Sequence, residues 1–258
     1  MSVCGRLAAA LLAAALALPA APGVARPLAQ LRESGTLALC AHPNALPFSA
    51  RDGARHGVEL ELGAALAGEL HVALAPSWIT TAIDMKRAQC DIVLDAIAEH
   101  EAQEDLVLSR PYGRSGVALA LRGDEGAVAG LADLGPPARI GVLSGSLASM
   151  TLGRRGYRLY PDIFEDQLLD DLAAGRIAAA AVTPLAIGYF NQTHPGHRLR
   201  LVDAFAGEPG LGWNIAVGMV APDPPLRAAI DAALDRLAAA GTIAAIYRGY
   251  GAALPAPR

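Results

Sequence analysis

The sequence predicts an α/β protein of two lobes, each a mainly parallel sheet flanked by helices, with two crossovers between them. Three observations lead there. Strand-like apolar runs alternate with helical patterns along the whole chain beyond residue 25, the signature of sheets joined by helical connections. The strand–loop–helix pattern starts afresh at Arg139, as a second lobe would. Segments at Gly116–Leu121 and Leu211–Gly218 are placed to leave the first lobe and to return to it, the plan of a hinged clamshell. The first lobe then comprises residues 26–115 and 214–258, and the second 116–213.

Taken in order, Leu37–Cys40 reads as a strand and Val58–Leu70 as an amphipathic helix. Asp91–Ile97 alternates with period two and reads as a strand; Pro111-Tyr112-Gly113 turns the chain into another at Gly116–Leu121. A loop rich in Gly and Pro spans Gly123–Pro137. Arg139–Leu143 is a strand that opens through Ser144-Gly145-Ser146 into a helix, and Gln167–Ala174 is a helix stopped by Gly175. Ile177–Val182 is a buried strand followed by a helix at Pro184–Asn191, then strands at Leu199–Val202 and Asn214–Val220. Apolar spacing at Leu226, Ile230, Leu234 and Leu237 makes Leu226–Ala240 a long helix. Gly241 ends it, and Ile243–Tyr250 gives one more.

Residues 1–25 read as a cleavable secretory signal peptide. Arg6 is the only charge before an apolar run at Leu7–Leu18, and Gly23-Val24-Ala25 is a small-residue cleavage site. The run is too short for a stable membrane span. Cys4 precedes it rather than follows it, which argues against a lipoprotein. A soluble periplasmic protein is expected, with no membrane span after cleavage. With 25 Asp and Glu against 21 Lys and Arg, and Lys86 the only lysine, the chain lacks the basic footing that nucleic-acid binding requires.

Cys40 and Cys90 remain beyond the leader. An even count in an oxidising compartment favours a disulfide, with buried thiols the alternative. Strand register opposes the bond: Cys40 ends its strand and Cys90 precedes the next. Parallel neighbours in that register set the two Cα atoms about 10 Å apart, beyond the bridging limit of about 7 Å. A bend in either approach would close the gap.

The order of segments resembles the type 2 periplasmic solute-binding proteins of the amino-acid-binding class. More narrowly it is similar to the J-type proteins (MxaJ and XoxJ-like) encoded beside quinoprotein methanol dehydrogenases. The residues that carry the likeness are Leu39-Cys40-Ala41-His42-Pro43-Asn44-Ala45-Leu46-Pro47-Phe48-Ser49, Cys90-Asp91 and Arg110-Pro111-Tyr112-Gly113-Arg114-Ser115. Arg139-Ile140-Gly141-Val142, Asp171-Leu172-Ala173-Ala174-Gly175 and Thr183-Pro184-Leu185-Ala186-Ile187-Gly188-Tyr189-Phe190 extend it over nearly the whole mature chain. The first motif and the R-P-Y-x-R-S motif are the specific ones. His42 stands where the family has an acid, Arg55-His56-Gly57-Val58-Glu59 replaces a phenylalanine-centred motif, and Ser77–Arg87 is short.

The resemblance implies a cleft between the lobes, and the strand-end loops nominate its residues. His42, Asn44, Asp95, Arg114 and Thr183 are polar candidates. Phe48, Trp78, Tyr112 and Trp213 would form either a cleft wall or core packing. Ser144 and Ser146 would hold an anion on helix amides or simply cap the helix. An amino-acid receptor of this family carries an arginine for the α-carboxylate, whose planar guanidinium pairs both oxygens. The corresponding loop, Ala98–Asp105, holds no arginine and four acids, and the ammonium-binding acid is replaced by Thr183. A free amino acid is therefore not the expected ligand.

No nucleophile elbow is complete, since Gly141-Val142-Leu143-Ser144-Gly145 misses the G-x-S-x-G spacing by one position. Neither a dinucleotide nor a P-loop fingerprint is present. His42, His56, Asp52 and Glu59 lack the spacing of a metal-ligand motif. The expectation is a non-enzyme with no cofactor and no metal. Its first reading is an accessory protein whose partner is a quinoprotein alcohol dehydrogenase. The alternative is the solute receptor of an ABC importer for a small ligand other than an amino acid.

Overall fold

A computed structural model describes residues 25–98, 106–123, 128–135, 137–205 and 207–258. Residues 1–24 of the expected leader and all but the first residue of the acidic stretch Ala98–Asp105 lie outside them. The chain begins with α1 (Leu28–Ser34), β1 (Thr36–Ala41) and two short paired strands, β2 (Asn44–Ala45) and β3 (Ser49–Ala50). Then come α2 (Val58–Glu69), β4 (Ala73–Trp78), α3 (Ala82–Arg87), β5 (Ile92–Ile97), β6 (Val107–Leu108) and β7 (Gly113–Gly116). The middle of the chain builds β8 (Ala118–Arg122), β9 (Arg139–Leu143), α4 (Leu147–Arg154), β10 (Arg158–Asp162), α5 (Glu165–Ala173), β11 (Ala179–Val182), α6 (Pro184–Thr193) and β12 (Leu199–Val202). It closes with β13 (Gly212–Met219), α7 (Pro224–Ala239) and α8 (Thr242–Gly249).

Two mixed sheets result. The first has the order β4-β1-β5-β13-β6, with β7 also paired to β13, and the second β10-β9-β11-β8-β12. Strands joined through helices lie parallel, as in β4-β1-β5 and β10-β9-β11. Those that enter from the other sheet, β13 and β8, run antiparallel to their neighbours. The expected single strand Gly116–Leu121 is two strands: β7 ends at Gly116 in the first sheet and β8 starts at Ala118 in the second.

Helix starts follow their caps. Ser146, Thr183 and Asp223 each accept a backbone N–H from three residues on, and Pro184 and Pro224 occupy first positions where no donor is needed. In α2, Glu61 lies in the first turn, where an acid complements the positive end of the helix. Helix α5 starts at Glu165, earlier than the expected Gln167. Strands β4 and β10 are absent from the sequence reading; both are edge strands carrying a proline, Pro76 and Pro161, and neither is buried along its length.

One core fills the first unit, around Leu37, Leu39, Leu62, Leu66, Ile92, Ile230 and Tyr250. The second sheet is covered on both faces, by Leu168, Leu172 and Phe190 on one and Leu152, Leu131 and Phe205 on the other. Ala25 is itself buried, its N–H donating to Val220 O at 2.7 Å. Next to it, Arg26 and the buried Asp91 pair through both Nε and the terminal nitrogen; Asp91 also accepts from Ala38 N. Gly188 of α6 meets Gly251, just past α8, backbone to backbone: a Cβ on Gly188 would lie 2.3 Å from the Gly251 carbonyl oxygen. Tyr189 and Tyr250 stack obliquely beside them, 5.7 Å apart.

Cys40 and Cys90 form a disulfide with Cα atoms 5.5 Å apart, so the alternative of two buried thiols is overturned. The register objection fails because the approach to β5 is not extended. Cys90 N bonds back to Ala88 O while Asp91 N bonds to Ala38 O. That tight turn lays Cys90 against β1 instead of trailing it along the strand axis.

Candidate functional site

The loop after β1 reaches toward the second sheet. His42 N donates to Ser49 Oγ at 3.2 Å, and its Nδ1 accepts Asn44 N at 3.1 Å, which orients the ring. That ring lies 6.0 Å from Phe164, at the start of α5. Gly57 fixes the far side of the loop. Val58 N and Glu59 N donate to Pro47 O and Phe48 O, and Gly57 N donates to the Tyr250 hydroxyl at 2.7 Å. Gly57 holds φ at 94°, and a Cβ there would fall 2.2 Å from Phe48 O, so only glycine fits.

A cavity of about 200 Å³ opens between this loop and the ends of β9, β10 and β11. Phe48 and Leu46 line it from one side; Leu143, Phe164, Glu165 and Thr183 line it from the other. Glu165 is buried. Its carboxylate accepts Thr183 N at 2.6 Å and the Thr183 hydroxyl at 2.7 Å. Burial pushes its pKa up to about 7, against the pull of those two bonds. The group is thus poised to accept from a cationic ligand or, protonated, to donate to a neutral one. Glu165 was not a candidate in the sequence. The acid missing at position 183 arrives from the neighbouring helix start, which the unrecognised strand β10 concealed.

Of the nominated residues, Phe48 and Thr183 line this cavity, and His42 stands outside its lining, 6.0 Å from the Phe164 ring. Asn44 is exposed in β2, and Trp78 and Trp213 pack against the first core. Ser146 caps α4, while Ser144 is exposed with its N–H on Asp162 O. Arg114 lines a different cavity, where the chain passes between the sheets.

Asp95 and Tyr112 belong to a buried polar cluster beneath the loop. Asp95, at φ 55°, accepts from the hydroxyls of Tyr112 and Tyr247. Burial raises the pKa of Asp95 and lifts both tyrosines well above their usual range. Nearby, Glu59 is pushed up to about 8, first by burial and then by the Asp95 charge, with the Ser49 hydrogen bond opposing. Below pH 4.5 Glu59 is protonated folded or unfolded. Between 4.5 and about 8 the folded chain keeps a proton that the unfolded chain releases, so this group makes stability fall as pH rises through that window. Glu59→Gln is expected to flatten the decline and raise the melting temperature at the alkaline end. Thermal melts of both proteins across the window check this, and parallel curves would refute it.

Among the described residues no three His, Cys, Asp or Glu gather as metal ligands, and no helix is long and apolar enough to cross a membrane. Two mixed α/β sheets linked by crossing strands, with a cavity at the strand ends, define the type 2 periplasmic binding protein fold. The sequence profile of the bacterial extracellular solute-binding proteins, family 3, matches residues 37–253, and the chain belongs to that family. No curated protein sequence matches it. Among solved structures it is similar to AncCDT-1, an ancestral cationic amino acid solute-binding protein (TM-score 0.75, 21% identity, covering 87% of this chain and 99% of that one). It is also similar to XoxJ from Methylobacterium extorquens AM1 (0.68, 24%, 85% and 99%). A third likeness is to the amino acid transporter substrate-binding protein AbpA from Streptococcus pneumoniae, bound to L-arginine (0.69, 20%, 86% and 97%). Proteins of this family are usually not enzymes, although AncCDT-1 is described as a precursor of cyclohexadienyl dehydratase.

Proposed function

We propose that the chain is an exported accessory protein of a quinoprotein (PQQ-dependent) alcohol dehydrogenase system, with methanol dehydrogenase the reference case. It acts by binding the enzyme or assisting its maturation. The observation that carries this reading is the charge of the cavity between the loop after β1 and the second sheet. Its described lining holds Glu165 and Asp166 but no arginine or lysine, so an α-carboxylate finds acids where it needs a guanidinium. The cysteine-bearing first motif and Arg110-Pro111-Tyr112-Gly113-Arg114-Ser115 support the same assignment. In this reading residues 1–25 are the leader, and the two sheets are the lobes of a clamshell whose rim meets the enzyme.

A second reading, a receptor for a small cationic or neutral solute delivered to an ABC importer, is favoured by the buried Glu165 carboxylate facing the cavity. The tagged mature chain, drawn through periplasm of its source organism grown on methanol, separates the two. Near-stoichiometric recovery of a quinoprotein dehydrogenase supports the first. Recovery of no dehydrogenase, with a small molecule retained in native mass spectrometry and lost in Glu165→Gln, overturns it for the second. Calorimetric titration with L-alanine and L-glutamate is expected to show no binding tighter than about 1 mM. Micromolar affinity for either would refute the charge argument.

A further inference from the structure

The second cavity, about 260 Å³, shares no lining residue with the first. It lies where β7 passes into β8 and where Leu211 and Gly212 return, and the chain after α8 closes it. That closing segment is held in place. Arg114 N donates to Pro255 O at 3.0 Å, and Arg258 N donates to Asn214 Oδ1 at 3.0 Å. Leu254 lies over Gly113 so closely that a Cβ on Gly113 would come within 2.5 Å of its side chain.

The walls are apolar, with Val117, Leu185, Phe205, Leu211 and Leu254 among them. Two arginines also line the space: Arg114, half-buried in β7, whose terminal nitrogen would lie 3.1 Å from a Cβ on Gly212, and Arg258, exposed in the closing segment. Among the described residues neither side chain forms an ion pair, and the one other charged side chain lining the cavity is the exposed Asp203. A half-shielded guanidinium beside apolar wall is suited to a carboxylate, because its planar fork donates to both oxygens and is weakly hydrated. The volume falls below the ~300–1,000 Å³ of sites for drug-sized ligands, so the occupant is small.

We propose that this cavity binds a small amphipathic carboxylate, its acid group on Arg114 and Arg258 and its apolar body against Val117, Leu185 and Phe205. The site is independent of the dehydrogenase reading: it concerns a ligand, in a cavity that shares no lining residue with the one between the loop after β1 and the second sheet, and needs no partner protein.

The test is calorimetric titration of the full mature chain with phenylacetate, benzoate and hexanoate, and with phenethyl alcohol as the uncharged counterpart. At least one carboxylate is expected to bind with a Kd below about 1 mM, and the alcohol about tenfold or more weaker. Arg114→Leu is expected to weaken carboxylate binding about tenfold or more, and Arg258→Gln by a smaller factor. Leu254→Trp, which fills the space, abolishes binding without removing a charge. If Arg114→Leu fails to fold, Arg114→Lys keeps the charge, loses the fork and is expected to weaken binding. The proposal is overturned if none of the three acids binds at about 5 mM, if the alcohol binds as well as the acid, or if Arg114 and Leu254 variants bind like the wild type.

Discussion

Gly57→Ala is expected to lower the unfolding free energy by about 3 kcal/mol or more. Two costs combine. The backbone conformation at φ 94° and ψ 161° disfavours any side chain, and the new methyl would sit 2.2 Å from Phe48 O, 2.5 Å from Phe48 C and 2.7 Å from Ser49 N. Those are backbone atoms, so they yield only if the loop after β1 moves, carrying Phe48 out of the cavity and breaking the Gly57–Tyr250 hydrogen bond. Gly53→Ala is the control. Its φ of 107° is equally unfavourable, but the nearest atom to its Cβ is Arg55 O at 4.0 Å, so its cost is only about 1 kcal/mol. Urea denaturation of both variants measures the difference. Equal losses would show that the loop, not Gly57, supplies the room.

Replacing both Cys40 and Cys90 by alanine is expected to cost about 2–4 kcal/mol. The bridge spans 50 residues of chain, and a closed loop of that length restricts the unfolded ensemble by about 4 kcal/mol in the chain-entropy account. Alanine is the appropriate replacement because Cys40 is buried, and a serine hydroxyl there would add an unsatisfied donor. Wild type in reducing buffer should unfold at a denaturant concentration close to that of the double variant. A loss under about 1 kcal/mol would mean the unfolded chain is already constrained between these positions.

The central elements were readable because they obey local rules. Strands Arg139–Leu143 and Leu199–Val202 are as expected, and the long helix, expected over Leu226–Ala240, spans Pro224–Ala239, stopping just before Gly241. What was not readable depends on edges and on distant chain. The exposed, proline-bearing strands β4 and β10 lack the alternation that marks a half-buried strand. Missing β10 hid Glu165, whose proximity to Thr183 comes only from neighbouring helix starts. Arg114 sits in a motif that reads as part of a cleft, yet the cavity it shares with Arg258 exists only because the far end of the chain folds back over β7. Asp95 and Tyr112 were both nominated, but their sharing of a hydrogen bond with Tyr247 of α8 joins residues 152 positions apart.

The crossing of Gly188 and Gly251 gives the molecule a fulcrum. Two backbones that approach to within the width of a missing methyl leave nothing between them to compress and no side chain to slip past. Were the second sheet to swing against the first, this contact would have to turn or part, with Tyr189 and Tyr250 beside it. Lever arms measured from there put the largest displacement at whatever lies farthest from the crossing. A substitution as small as Gly188→Ala would force the two backbones apart at that point, since its methyl would meet Gly251 O at 2.3 Å and Gly251 C at 2.7 Å.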